Sequence, residues 1–264
     1  MRNTQNSDKY NLVDLKKCLK HTIFQNFYFY HKVDSTMNKL KNLSSSEKKE
    51  GTIVIAEIQE KARGRFQRKW INKPTDSLCF SLLLKPKIYE LKFLNMAISI
   101  SICKSIEKLT KIDSEIKWPN DILLNNKKVS GTLIETELIN EQVSSCVIGV
   151  GINVTLQSFN DPDLSNATSI LIESGVYIDR NNLLIEILEN LNTLYSDIQN
   201  GISLKNLWKQ KLGTIGEKIS VKQSNKIISG TAIDVTEEGD LIIQENTGKT
   251  IQLSSGEVTT NLDT

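Results

Sequence analysis

Leu12, Leu15 and Leu19 recur at helical spacing with lysines on the opposite side, which predicts a short amphipathic helix within residues 8–20. An aromatic, strand-like run over 24–33 delivers the chain to Asp34, Ser35 and Thr36, and the pattern then turns helical over 37–43. Asp34 or Ser35 could cap that helix. The β-branched run 52–56 and the apolar run 77–84 read as buried strands, and 92–109 returns to helical spacing through Phe93, Met96, Ile100, Cys103 and Ile106. Strands dominate the middle of the chain, at 128–138 and 147–154, with Asn125 and Asn126 at a hairpin turn ahead of them. Leu183, Ile187, Leu191 and Leu194 mark a long amphipathic helix over 180–198, and 204–212 is a shorter one.

Beyond Gly213 the period changes to short alternating segments at 218–223, 227–235, 240–244 and 250–253, punctuated by Gly216, Gly239 and Gly248. Four or five strands in so short a stretch predict a small antiparallel barrel and a domain boundary near Gly213. The chain thus divides into an N-terminal extension at 1–26, a large domain at 27–212 and a small one at 213–264. A chain of 264 residues can bury a core in each of the two larger parts.

Composition narrows the functional classes. Charged residues at 24% and hydrophobic residues at 39% are ordinary for globular proteins. A formal net charge of +2 is too small to argue for a nucleic-acid partner. Cys18, Cys79, Cys103 and Cys146 are widely separated, with no pair at metal-ligand spacing, which suits reduced thiols in a cytosol. No secretory signal and no run of 18 apolar residues is visible, so a soluble, cytoplasmic protein without a membrane partner is expected. His21 and His31 are the only histidines, which excludes chemistry built on several imidazoles.

One stretch departs from this plain picture. Residues 61–70, KARGRFQRKW, set Arg63, Arg65 and Arg68 in a loop between two strands. Guanidinium forks clamp phosphate or carboxylate through paired, charge-assisted hydrogen bonds, and Gly64 permits close approach of backbone to a ligand. Taken alone, the loop reads equally as a solvated basic surface, and Asp34 to Thr36 as a plain helix cap.

Five stretches in fixed order decide between these readings: 34–36, 61–70, 117–121, 128–135 and 148–153. Together they resemble the biotin protein ligase family. The Arg-Gly-Arg loop ending in Trp appears as Arg63, Gly64, Arg65, Arg68 and Trp70, preceded by Glu57 and Gln59. The Lys-Trp-Pro-Asn-Asp signature is complete at Lys117, Trp118, Pro119, Asn120 and Asp121. Lys128, Ser130, Gly131, Leu133 and Glu135 match a further strand signature, and Gly149, Gly151, Ile152 and Asn153 match Gly-x-Gly-Ile-Asn. The resemblance implies an α+β architecture: a class II synthetase-like mixed sheet with flanking helices, followed by a small C-terminal SH3-like β-barrel.

The same resemblance implies a ligase that joins biotin and ATP into biotinyl-5'-AMP and passes biotin to one lysine of a biotin carboxyl carrier protein, with Mg2+ as cofactor. Lys128, Arg68 and Arg65 would be catalytic. Ser35, Thr36, Gln59, Arg63, Gly64, Trp70, Lys128 and Gly131 would bind biotin. Arg65, Arg68, Trp70, Lys117, Asn120, Asp121, Lys128 and Asn153 would bind ATP and the adenylate, with Asp121 on the metal. Trp118 and Pro119 read as well as a buried aromatic and a rigid turn. Family members often dimerise through the large sheet, where 143–150 could serve as an edge strand. Some begin with a DNA-binding domain, but only about 25 residues precede the resemblance here, so no repressor role is expected.

Departures from the family pattern fall in the basic loop: Ala62 and Gln67 stand where glycine is frequent, and Glu60 where Gln, Ser or Thr is common. Two rival classes are disfavoured. Lipoate ligases and octanoyl transferases share the fold but lack Lys-Trp-Pro-Asn-Asp. An RNA-binding module would want stacking aromatics on the small domain, and 213–264 contains no Phe, Tyr or Trp.

Overall fold

The computed structural model describes residues 10–71, 73–159, 164–223 and 226–260. A seven-stranded sheet carries the large part of the chain, in the order β1-β2-β3-β7-β6-β5-β4. Its strands are β1 (Asn26–Val33), β2 (Thr52–Gln59), β3 (Ser77–Leu84), β4 (Glu115–Lys117), β5 (Asp121–Leu124), β6 (Lys127–Ile139) and β7 (Gln142–Asn153). β1 and β2 run parallel because helix α2 (Thr36–Lys41) carries the chain back between them, and every other pairing is antiparallel. The sheet is mixed, as the sequence implied.

β2 and β3 read as near-continuous apolar runs because both faces of the sheet are covered. One face packs against α3 (Leu94–Thr110) and α5 (Arg180–Gln199) in the main core. The other is covered by α2, with Met37, Leu40 and Leu43 against Val54, Leu83 and Val147. Helix α1 (Leu12–Cys18) starts where the Asn11 side chain accepts from the Val13 and Asp14 amides, and Leu15 is fully buried in the main core. The stretch assigned to an N-terminal extension is therefore packed into the large domain. Residues 8 and 9 of the predicted helix span lie outside the described residues.

Asn125 and Asn126 both adopt positive φ, the backbone of a two-residue hairpin turn, and Asn140 with Glu141 repeats it between β6 and β7. The edge strand expected over 143–150 is interior over 146–150, where β7 is bonded to β3 on one side and β6 on the other, whereas 143–145 run past the end of β3 and have β6 as their sole strand partner among the described residues. β5 pairs with β6 only as far as Gly131. The outer half of β6 therefore has β7 as its sole strand partner among the described residues.

After α4 (Ile170–Ser174), α5 and α6 (Lys205–Lys211), the chain enters a five-stranded antiparallel sheet of order β11-β10-β9-β8-β12. These are β8 (Lys218–Gln223), β9 (Lys226–Val235), β10 (Leu241–Gln244), β11 (Thr250–Leu253) and β12 (Glu257–Thr260). The turn 236–240 docks on the large domain: Lys92 pairs with Glu238 at 2.7 Å, and the indole of Trp118 donates to the Gly239 carbonyl at 2.9 Å. Trp208, fully buried beside Gly239, donates to Ser99. The two sheets share one continuous core.

Candidate active site

A cavity of about 430 Å³ opens where the ends of β2, β5, β6 and β7 meet the basic loop. Every residue assigned to ligand or catalysis from the sequence lies on its wall, from Ser35, Thr36 and Gln59 on one side to Lys117, Asn120, Asp121, Lys128, Gly131 and Asn153 on the other. Fold topology explains the convergence: β6 and β7 pair Gly131 with Gly151, while β5 sets Asp121 opposite Gly131.

Ser35 occupies the N-cap position of α2, yet its side chain makes no capping bond. The plain-cap reading of that serine therefore fails. Asp34 instead accepts from Asn38 at 2.7 Å, which draws its carboxyl below the usual range. Thr36 donates its amide and hydroxyl to the Gln59 carbonyl oxygen at 2.8 and 3.0 Å and exchanges a hydroxyl bond with Ser81. That fixes the Gln59 amide in one orientation, and a fixed amide is what selective recognition of a polar ligand requires.

Lys128 bonds Asp121 at 2.7 Å, and its ammonium lies 5.9 Å from the centre of the Trp70 ring. Its backbone is held on both sides by the segment 166–168, through the Asn166 carbonyl and the Thr168 amide. Asn153 reinforces that segment by donating to the Thr168 carbonyl. Trp70 packs flat on bare backbone at Gly151, where a Cβ would lie 2.4 Å from the indole. Its buried N–H meets no nitrogen or oxygen acceptor among the described residues and lies against the Cys79 thiol. Beneath it, burial pushes the Cys79 thiol up to about 12, so this cysteine stays protonated and unreactive.

The basic loop is a small hairpin. The Trp70 amide donates to the Ala62 carbonyl and the Gly64 amide to the Arg68 carbonyl, closing around a tip at 65–67. Ala62 takes no positive φ, so replacing glycine there imposes no strain. Gln67 does, at φ 59°, as does Phe66 at 54°. Glu60 pairs with Lys32 at 2.7 Å on the exposed surface. Arg65 donates to Asn120 at 3.1 Å, and burial lowers its affinity for a proton. Arg68 is two-thirds exposed and pairs with Glu257 of β12. Arg63, expected at the ligand, is turned onto Glu135 and Asn38.

Sequence reasoning missed several wall residues. Phe159 and Leu164 to Ala167 belong to no spaced motif, Thr132 falls at a variable position of one, and Gly256 to Thr259 arrive from the small domain. Trp118 is buried; its indole N–H donates to the Gly239 carbonyl and its amide N–H to the Thr214 hydroxyl. The buried-aromatic reading thus describes it.

Comparison with known proteins agrees with this geometry. Residues 29–153 match the biotin/lipoate A/B protein ligase family, and 214–259 match the biotin protein ligase C terminal domain. The bifunctional ligase/repressor BirA of Bacillus subtilis is 33% identical over 237 residues, covering 87% of this chain and 73% of the relative. A biotin--[acetyl-CoA-carboxylase] ligase of Mycobacterium tuberculosis is 28% identical, covering 79% of each chain. The biotin protein ligase of Aquifex aeolicus in complex with biotin and ATP superposes with a TM-score of 0.78 at 29% identity, over 90% of this chain and 99% of that one. Fold and site together define the class of biotin and lipoate ligases. Within it, the chain belongs to the biotin protein ligase family.

Proposed function

We propose that the protein is an ATP-dependent biotin protein ligase that makes biotinyl-5'-AMP and transfers biotin to a lysine of a biotin carboxyl carrier protein. The observation that carries the reading is the single cavity shared by the Thr36–Gln59 pair, the basic loop and the Lys128–Asp121 pair. Biotin versus lipoate is decided by the small-domain match and the Lys117 to Asp121 signature.

The chemistry follows from the charges. In the first step a biotin carboxylate oxygen bonds to the α-phosphorus of ATP and the bond to pyrophosphate breaks. Two anions must approach, and Arg65, Arg68, Lys117 and Lys128 line the cavity in which they would meet. Preorganised cations stabilise charge that develops in the transition state without reorganising. In the second step the carrier amine attacks the acyl carbon, AMP leaves, and Lys128 holds the charge on the carbonyl oxygen. Ser35, Thr36, Gln59 and the backbone at Gly64 and Gly131 supply hydrogen bonds to biotin, and Trp70 covers it. Asn120 and Asn153 face the nucleotide.

Among the described residues no three metal-ligating side chains gather. Mg2+ keeps several waters and enters on substrate phosphates with one or two carboxylates. Asp121 is the carboxylate that would hold it, and the ion would supply charge neutralisation on the phosphates. A cytoplasmic setting is part of the proposal: among the described residues the cysteines are free thiols and no helix is long and apolar enough to cross a membrane. Homodimerisation is also proposed, along the open outer half of β6, where Leu138 and Ile139 are exposed. Light scattering with and without ligand tests it; monomer alone at micromolar concentration rejects it.

Biotin-dependent exchange of labelled pyrophosphate into ATP, followed by streptavidin detection of one labelled carrier lysine, is the deciding experiment. Labelling with lipoate or octanoate in place of biotin would overturn the reading.

A further inference from the structure

The three arginines of the basic loop face different partners. Arg65 points at Asn120 inside the cavity, Arg68 at the small domain. Arg63 is different in kind, because each of its nitrogens is already engaged within the protein. Nε and Nη2 donate to Glu135 Oε1 at 3.3 and 3.1 Å, Nη2 also to Oε2 at 3.1 Å, and Nη1 to Asn38 Oδ1 at 2.9 Å. Both partners are themselves held. Glu135 also pairs with Lys41 of α2, and Asn38 donates to Asp34. Asp34 in turn accepts the Lys61 amide at 2.7 Å through its carbonyl.

The result is a closed circuit from the start of the loop through α2 and β6 back to the loop. A fork so engaged keeps no more than one of its five N–H donors, on Nη1, and cannot offer a carboxylate or phosphate a paired clamp. The Arg63 and Glu135 side chains are only about a quarter exposed, so solvent screens the pair less than an ordinary surface pair.

We infer that Arg63 is a positioning residue: with Glu135 and Asn38 it anchors the first arm of the basic loop, 61–64, so that ligand-driven movement is confined to 65–69. The inference rests on the ligase reading for the identity of the ligand, but not for the anchor itself. Two consequences separate it from a direct clamp. Releasing Glu135 would free a clamping arginine and leave binding intact, whereas it would detach an anchoring one. An anchor also acts on the loop in the empty protein, where a clamp has nothing to hold.

The test uses the full chain carrying Arg63→Ala, Glu135→Ala, both together, and Glu135→Gln, which keeps the side-chain volume. Hydrogen exchange of the amides from Ala62 to Trp70 is measured without ligand, and biotin binding by titration calorimetry, with thermal melting to verify folding. The anchor predicts that each single alanine variant speeds exchange of Gly64 and Trp70 and weakens biotin binding by about tenfold, while the double variant is no worse than either single one, as for residues acting as one unit. Glu135→Gln should fall between wild type and Glu135→Ala. The inference is overturned if Glu135→Ala exchanges and binds as wild type while Arg63→Ala loses binding, or if the two effects simply add. Should the wild type bind no biotin, the ligase reading fails, and exchange in the empty protein still decides the anchor.

Discussion

Lys128, proposed to hold charge in both steps, has a side chain marginal to the fold. Its backbone is tied to 166–168 whatever the side chain, and its ammonium reaches Asp121 at the cavity wall. Lys128→Ala should therefore melt near wild type yet lose at least about 10²-fold in pyrophosphate exchange, the usual cost of removing a charge aimed at a transition state. Exchange at the wild-type rate would place the chemistry elsewhere. Gly151 is the converse case, inert chemically and fixed sterically. In Gly151→Ala the added methyl would sit 2.4 Å from the indole of Trp70, so the ring must leave its seat. With Trp118 and Trp208 buried elsewhere, Trp70 is the tryptophan whose surroundings change. Its emission should shift and biotin binding weaken; an unchanged spectrum would show that the strand yields instead. At this scale the sequence was informative where a residue type has one chemical use, as with Lys128 or Gln59. It was silent where identity matters through a neighbour. Nothing in a lone Glu135 announces that it occupies Arg63, because the two lie 72 positions apart and meet only when β6 is paired.

The elements were legible in proportion to their periodicity. Helix α5 was read to within a residue of its end, since four leucine and isoleucine positions define its buried stripe. β1 was read two residues too long at its start, and β7 five residues too short, because the polar Gln142 to Ser145 segment gains its strand character from pairing with β6 rather than from its own composition. The helix α4 and the turn over Ile88–Phe93 are too short to show a period at all. Strain in the basic loop was equally hidden. Phe66 and Gln67 both hold left-handed backbone, which costs a residue with a Cβ on the order of 1 kcal/mol or more. Gln67→Gly should relieve part of that and favour the hairpin form, so we expect tighter binding of biotin and slower exchange of Arg68 and Trp70. Weaker binding would mean that the looser chain in the open state outweighs the relief.

At the scale of the molecule, the two sheets were separable in the sequence by the change of period at Gly213, but the contacts that join them were not. They depend on Trp118 reaching Gly239, on Lys209 meeting Asp234 and on Arg68 meeting Glu257, none of which shares a local pattern. A second long-range tie lies inside the large domain. Arg180, at the start of α5, is buried and grips both oxygens of Glu57 at 3.0 Å, with the Tyr10 ring 4.8 Å away. Arg180→Met would leave Glu57 buried without its cation, and such losses cost about 3 to 5 kcal/mol. Urea unfolding should register that destabilisation with little change in slope. Removing both charges together, as Arg180→Met with Glu57→Gln, should cost less than the single change.

The placement of β12 has a consequence in time as well as space. Its residues 257–260 follow every other described element, yet Gly256 to Thr259 form part of the cavity wall and Glu257 holds Arg68. A growing chain therefore carries the large sheet, the basic loop and Lys128 long before it carries the last piece of the wall. During synthesis the cavity stays open on one side until β12 has been made and folds back. Loss of 257–260 would therefore leave Lys128 and the basic loop in the chain while opening the cavity on one side.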